Sequence, residues 1–337
     1  MPILRRISAL VATLVLTTPA VASATTYTFS PPASGTNPRD WTDTMQWSPN
    51  GVPGAGDSVV IPLPTMGPSL TTDGMVTVAS LQVSGSPTGA NLQGAGITVS
   101  AGGSFEWQSG IISGMTITIP SGATMTIDTG GAHWLDGSTL VNQGTSTWTG
   151  GTLNGDGAAI FQNPGTLTIT AGATSFAYGS GLNTCDFFNT GTLVVSGSGT
   201  TTNPAGMWGF HNSGVINFTG GGTLEWQTSS NTQHTMDDGG SITGNGTLLF
   251  DETAAQNETS VVTFNGTTTV GTGATLSFST GALTSVGTTG ATLQGPGTFL
   301  WTGGQIAGNT SNNSGPALTW GSTLQVHMTG AASKDME

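Results

Sequence analysis

Along most of the chain, apolar and polar residues alternate in short runs, the pattern of β-strands whose successive side chains point to opposite faces. A five-residue unit recurs within it: small, Ser or Thr, apolar, any, apolar. It starts at Ala79 (ASLQV), Gly103 (GSFEW), Ala123 (ATMTI), Gly144 (GTSTW), Gly165 (GTLTI), Gly191 (GTLVV), Gly214 (GVINF), Gly246 (GTLLF), Ala274 (ATLSF), Gly297 (GTFLW) and Ser322 (STLQV). The intervals between starts are 24, 20, 21, 21, 26, 23, 32, 28, 23 and 25 residues, which suits one coil of a parallel β-helix with local insertions. The third and fifth residues of each unit share a face, so pairs such as Leu81/Val83, Phe105/Trp107, Leu167/Ile169 and Leu276/Phe278 are predicted to stack inward as columns. At about 4.8 Å per coil the rod is about 48 Å long. Ser146 is the one polar residue in the inward set. The prediction is an all-β, single-stranded parallel β-helix of about eleven coils over residues 76 to 330. No single coil buries its own apolar face, so the array folds as a unit. A β-sandwich also has many short strands, but it need not repeat one motif at coil-length intervals.

Glycine with Asn or Asp clusters between the units, as at Asn154-Gly155-Asp156-Gly157, where tight corners need positive φ angles. Asn142, Asn163, Asn189 and Asn212 each precede the unit's glycine by two residues, which predicts an asparagine ladder along one corner. Residues 25 to 75 lie outside the repeat and hold Trp41, Trp47 and the string WSPNGVPGAGDSVVIP. A solenoid end needs covering, so this segment is assigned as an N-terminal cap. Residues 331 to 337 are read as a tail.

Arg5 and Arg6 precede an apolar run from Ala9 to Leu16, and Ala22-Ser23-Ala24 matches a signal-peptidase site. Residues 1 to 24 are therefore read as a signal peptide, and the mature chain is expected to be exported. No later segment is apolar for long enough to predict a membrane-crossing helix. The 54 glycines and 6% charged residues are unlike an average globular domain, yet the apolar content suffices for a core. The net charge is -13, and beyond the leader 17 acids face only Arg39 and Lys334. That balance excludes nucleic acid, whose binding rests on cationic phosphate contacts. Anionic lipid and acidic polysaccharide are disfavoured by the same repulsion, which leaves neutral glycans or surface proteins as expected partners. Cys185, the only cysteine, permits no intrachain disulfide and is read as a small buried residue.

The segment from Trp41 to Pro62, with the strings WTGGTLNG and WTGGQIAG starting at Trp148 and Trp301, resembles the Gly/Thr-rich parallel β-helix proteins that bacteria export, of the adhesin-like and autotransporter-passenger types. The resemblance implies a β-helix with a surface or interaction role and carries over no catalytic residue. The translocator barrel or anchoring signal that normally accompanies such passengers is not seen in this sequence.

A β-helix can also carry a glycosidase or lyase, and glycoside hydrolysis calls for two carboxylates about 5 to 9.5 Å apart. At the outward centre of the repeat units the one acid is Glu106, and Glu225 repeats its EWQ context several coils away. The densest polar set is His234, Asp237 and Asp238, followed by Asp251, Glu252 and Glu258. These are read as solvated turn residues, with catalysis by His234, Asp237 and Asp238 or weak Ca2+ binding as alternatives. No metal site and no other cofactor are assigned. No GxSxG or HExxH motif occurs, and His133, His211, His234 and His327 lack metal-ligand spacing. Trp107, Trp148, Trp226 and Trp301 take core positions in preference to sugar platforms. Thr124/Thr126, Thr145/Thr147 and Thr166/Thr168 would project outward as a grid able to order water or ice, although threonine also simply suits exposed strands. The leading expectation is a non-catalytic extracellular or cell-surface scaffold for adhesion or matrix interaction. A carbohydrate-active hydrolase or lyase and an ice-binding protein are the alternatives.

Overall fold

A computed structural model describes residues 24–30, 38–86, 88–128, 131–178, 184–203, 208–228, 233–252, 261–279, 282–285, 290–307, 318–329 and 334–336. The expected leader, apart from Ala24, and Glu258 lie outside these residues. The chain is an all-β parallel solenoid in which each turn consists of three strands, one on each of three faces. Gly110–Ser113 pairs in parallel with Ala132–Asp136 on the first face, Thr116–Ile119 with Thr139–Asn142 on the second, and Thr124–Ile127 with Thr145–Trp148 on the third. About nine such turns run from Gly110 to Trp320.

Nine is fewer than the eleven coils expected from the motif. The first two units, ASLQV and GSFEW, fall at the ends of two long strands, Leu70–Gly85 and Asn91–Trp107, and not in separate three-stranded turns. Asn91–Trp107 bends past all three faces, pairing successively with Gly110–Ser113, Thr116–Ile119 and Thr124–Ile127. Ahead of them, Thr26–Phe29 pairs antiparallel with Trp47–Ser48 and parallel with Ser58–Leu63, which continues in parallel to Leu70–Gly85. Phe29, Trp41 and Trp47 belong to the same continuous core, and Trp47 Nε1 donates to the Trp41 carbonyl at 2.9 Å.

The motif also does not stay on one face. Through Gly214 it marks the third face, where Leu167 stacks on Leu193 and Leu193 on Ile216. Ile216 then stacks on Ile242 of Ser241–Gly244, a strand without the motif. Leu248, Leu276 and Phe299 continue instead from Leu224 on the first face. The 32-residue interval hides this transfer, in which the unit reappears as GTLEW at Gly222 one face further on. Leu167, Leu193 and Leu276 are all buried, so the columns form as expected but in two files, as far as the last unit, where Val326 is in register with Phe299 but exposed. Aromatic rings extend them, with Phe210 on Trp226 at 4.6 Å and Phe250 on Phe278 at 5.2 Å between centroids.

Close stacking explains the unit's leading glycine. A Cβ at Gly165, Gly191 or Gly214 would overlap the backbone carbonyl of the unit before it. The asparagine ladder is present as well. The amide groups of Asn142, Asn163 and Asn189 each donate to the Oδ1 of the next member at 2.7 Å, from Asn142 through to Asn212. The Oδ1 of Asn142, which has no asparagine before it, accepts from Ser146 Oγ at 2.7 Å. Ser146 is thus polar because it completes the ladder.

Candidate interaction surface

The outward side chains follow from the same register. Thr124, Thr145 and Thr166 are cross-strand partners, as are Thr126, Thr147 and Thr168, so the six threonines form the grid expected from their spacing. The first of these rows is much longer than the three coils read from the sequence. It runs Thr26, Ser58, Ser80, Ser104, Thr124, Thr145, Thr166, Thr192, each the register partner of the next. Eight hydroxyls on adjacent strands span about 34 Å at the parallel-strand spacing. The row ends at Val215. A second row, Thr200, Thr223, Thr247, Thr275 and Thr298, occupies the first face beyond that point. Hydroxyls therefore move one face over together with the apolar columns, because the same five-residue unit supplies both. The companion row of the grid is shorter, since Gln82 and Glu106 precede Thr126 and Val194 follows Thr168. Glu106 is tied to Gln82 at 3.3 Å and to Gln108 at 2.7 Å.

His234, Asp237 and Asp238 do not form one site. His234 points inward from Gln233–Met236 and is fully buried near Trp226 and Phe250. Its Nδ1 accepts the Phe210 N–H at 3.1 Å, and burial drives its pKa down to about 3, so the ring is neutral. Asp237 lies beyond the strand end, where it accepts from Thr235 Oγ1 at 2.9 Å and Asn265 Nδ2 at 2.8 Å. Asp238 accepts the Thr267 N–H at 2.8 Å. The imidazole thus faces the core from within the strand, whereas both carboxylates lie in the corner beyond its end.

Two outward features escaped the sequence reading. Asp136 and Asp156 are register partners on adjacent turns of the first face, with Ser113 Oγ donating to Asp136 at 2.9 Å. Trp134, half-buried and outward, precedes Asp136 by two positions and lies in register between Ile111 and Asn154. Both aspartates stand directly before a glycine at a corner, a signal that a search confined to the repeat units passes over. Elsewhere, Asp186 meets His211 Nε2 at 3.1 Å, and His211 stacks on Phe188 with 4.5 Å between ring centroids. The expected core tryptophans are buried. So is Cys185, whose thiol pKa is pushed up to about 11 by desolvation, which leaves it a poor nucleophile. Among the described residues, no group of three or more His, Cys, Asp or Glu side chains is placed to hold a metal ion, and no helix is long and apolar enough to cross a membrane.

The chain matches no family model, and no curated protein or solved structure is significantly similar to it.

Proposed function

We propose that the protein is a secreted, non-catalytic β-helix that presents a rigid, hydroxyl-lined face for adhesion or matrix interaction, with neutral glycans or surface proteins as partners. The observation that carries this reading is the in-register row of eight hydroxyl residues from Thr26 to Thr192, backed by a continuous apolar core. Such a row offers many weak, uncharged hydrogen-bonding groups on a preordered backbone, so a partner orders few side chains on binding. The acidic balance of the chain disfavours anionic partners. Binding of the mature chain to an array of neutral and acidic glycans is expected on neutral members only. Depolymerisation of any glycan, lost in Asp136→Asn or Asp156→Asn, would overturn the non-catalytic reading in favour of the aligned carboxylate pair.

The register of Thr124/Thr126, Thr145/Thr147 and Thr166/Thr168 also supports a water-ordering role. The grid is two rows wide over only three turns, which makes this the second reading. Thermal hysteresis in the wild type, abolished by Thr145→Lys, would establish it.

A further inference from the structure

We propose that Asp186, His211, Thr235 and Asp237 form a latch across three turns of the second face, closed when both nitrogens of the His211 ring carry a proton. Asp186, His211 and Thr235 lie on the outside of Cys185–Asn189, Trp208–Asn212 and Gln233–Met236, and Asp237 follows directly after the last of these strands. Asp186 Oδ1 is 3.1 Å from His211 Nε2, His211 Nδ1 is 3.0 Å from Thr235 Oγ1, and Thr235 Oγ1 is 2.9 Å from Asp237 Oδ2. Asn265 Nδ2 donates to the other Asp237 oxygen at 2.8 Å, extending the line to a fourth turn.

Counting protons decides how the line works. Three contacts join two carboxylates, one imidazole and one hydroxyl, and each contact needs its own hydrogen. The hydroxyl supplies one, and a neutral imidazole supplies one more. With Nε2 protonated, Nδ1 competes with Asp237 for the single Thr235 hydrogen. With Nδ1 protonated, Nε2 and the Asp186 carboxylate face each other as two acceptors. Only the imidazolium, with two ring hydrogens, satisfies all three contacts together. The Phe188 ring, 15° from parallel to the imidazole, fixes its plane. Glycine at 209 leaves the room for the contact, since a Cβ there would overlap Asp186 Oδ1 and press on the Gln233 carbonyl.

The groups facing His211 are Asp186 from the turn before, Thr235 and Asp237 from the turn after, and the buried neutral His234 behind them; its own strand adds no other ionisable group. Acidification therefore adds a third hydrogen bond, and a net attraction between ring and carboxylates, to the outside of these turns. His211 and Asp186 are partly exposed, at 16% and 35% of their side-chain surface, so the latch is worth a modest factor.

Amide protection factors by hydrogen exchange, in the full chain at about pH 8 and about pH 5.5, the interval in which histidines ordinarily change charge, test the latch. The comparison is wild type against His211→Phe, which keeps the stack on Phe188. In Cys185–Asn189, Trp208–Asn212 and Gln233–Met236, the wild-type to variant ratio is expected to rise about fivefold on acidification. Thr235→Val and Asp186→Asn, both mild on the outer face, are each expected to lower that rise. An equal ratio at both pH values overturns the proposal, and so does an undiminished rise in both of those variants.

Discussion

Ser146 and His234 are both polar side chains inside an apolar core, and they are accommodated by different means. Ser146 supplies the donor for Asn142 Oδ1 at the start of the asparagine ladder. Replacing it with Ala leaves that buried acceptor without a donor, at a cost of about 1 to 3 kcal/mol. A lowered urea midpoint with an unchanged m-value is the expected result. His234 is tolerated because it stays neutral. Its folded pKa of about 3 lies below the ordinary 6.5, so the unfolded chain takes up the proton first as the pH falls. Its contribution is thus fully present above about pH 6.5 and is lost progressively toward pH 3, a change on the order of 4 kcal/mol. Burial of His133 lowers its pKa too and adds in the same direction. Urea unfolding at neutral and acid pH is expected to show a smaller acid loss for His234→Phe than for the wild type. The asparagine ladder was legible from spacing alone, since Asn142, Asn163, Asn189 and Asn212 hold one position before the unit's glycine. The inward aim of His234 was not, because Gln233–Met236 lies outside the motif and carries no repeating apolar pair to set its phase.

At the scale of the strand, one five-residue unit does three things: its glycine permits close backbone stacking, its hydroxyl faces out and its apolar pair faces in. Gly191 carries no positive φ, so its requirement is steric, set by the Gly165 carbonyl. Gly191→Ala is expected to destabilise the fold by about 1 to 3 kcal/mol through overpacking. Gly74, where an added methyl group would meet nothing within 4 Å, serves as the control, and Gly74→Ala should change stability by less than about 0.5 kcal/mol. Melting curves of the two variants check both values. The motif made the inward and outward positions readable, but not the face on which each unit sits. An interval of 32 residues reads as a long insertion, whereas it is a step of eight residues to Gly222 followed by a coil of 24. Deciding between them requires knowing that Ile216 stacks on Ile242 and Leu248 on Leu224, a three-dimensional fact. Asp136 and Asp156 were missed for a related reason, because their alignment depends on how corners of different length are absorbed between strands.

For the whole molecule, the three-faced coil converts a local pattern into a long in-register row. A row of hydroxyls is an interaction surface only if the turns beneath it neither slip nor rotate, and the continuous core from Phe29 to Trp301 provides that constraint. Such a surface requires the row from Ser58 to Thr192 to keep a regular spacing from strand to strand. Spin labels on cysteines introduced at these two outward positions report it directly by pulsed dipolar spectroscopy, since the native Cys185 is buried and should not label. Six strand steps separate them, through Ser80, Ser104, Thr124, Thr145 and Thr166. A single narrow distance distribution centred at about 29 Å is expected. A broad distribution, or one centred beyond about 40 Å, would contradict the in-register stack and the surface built on it.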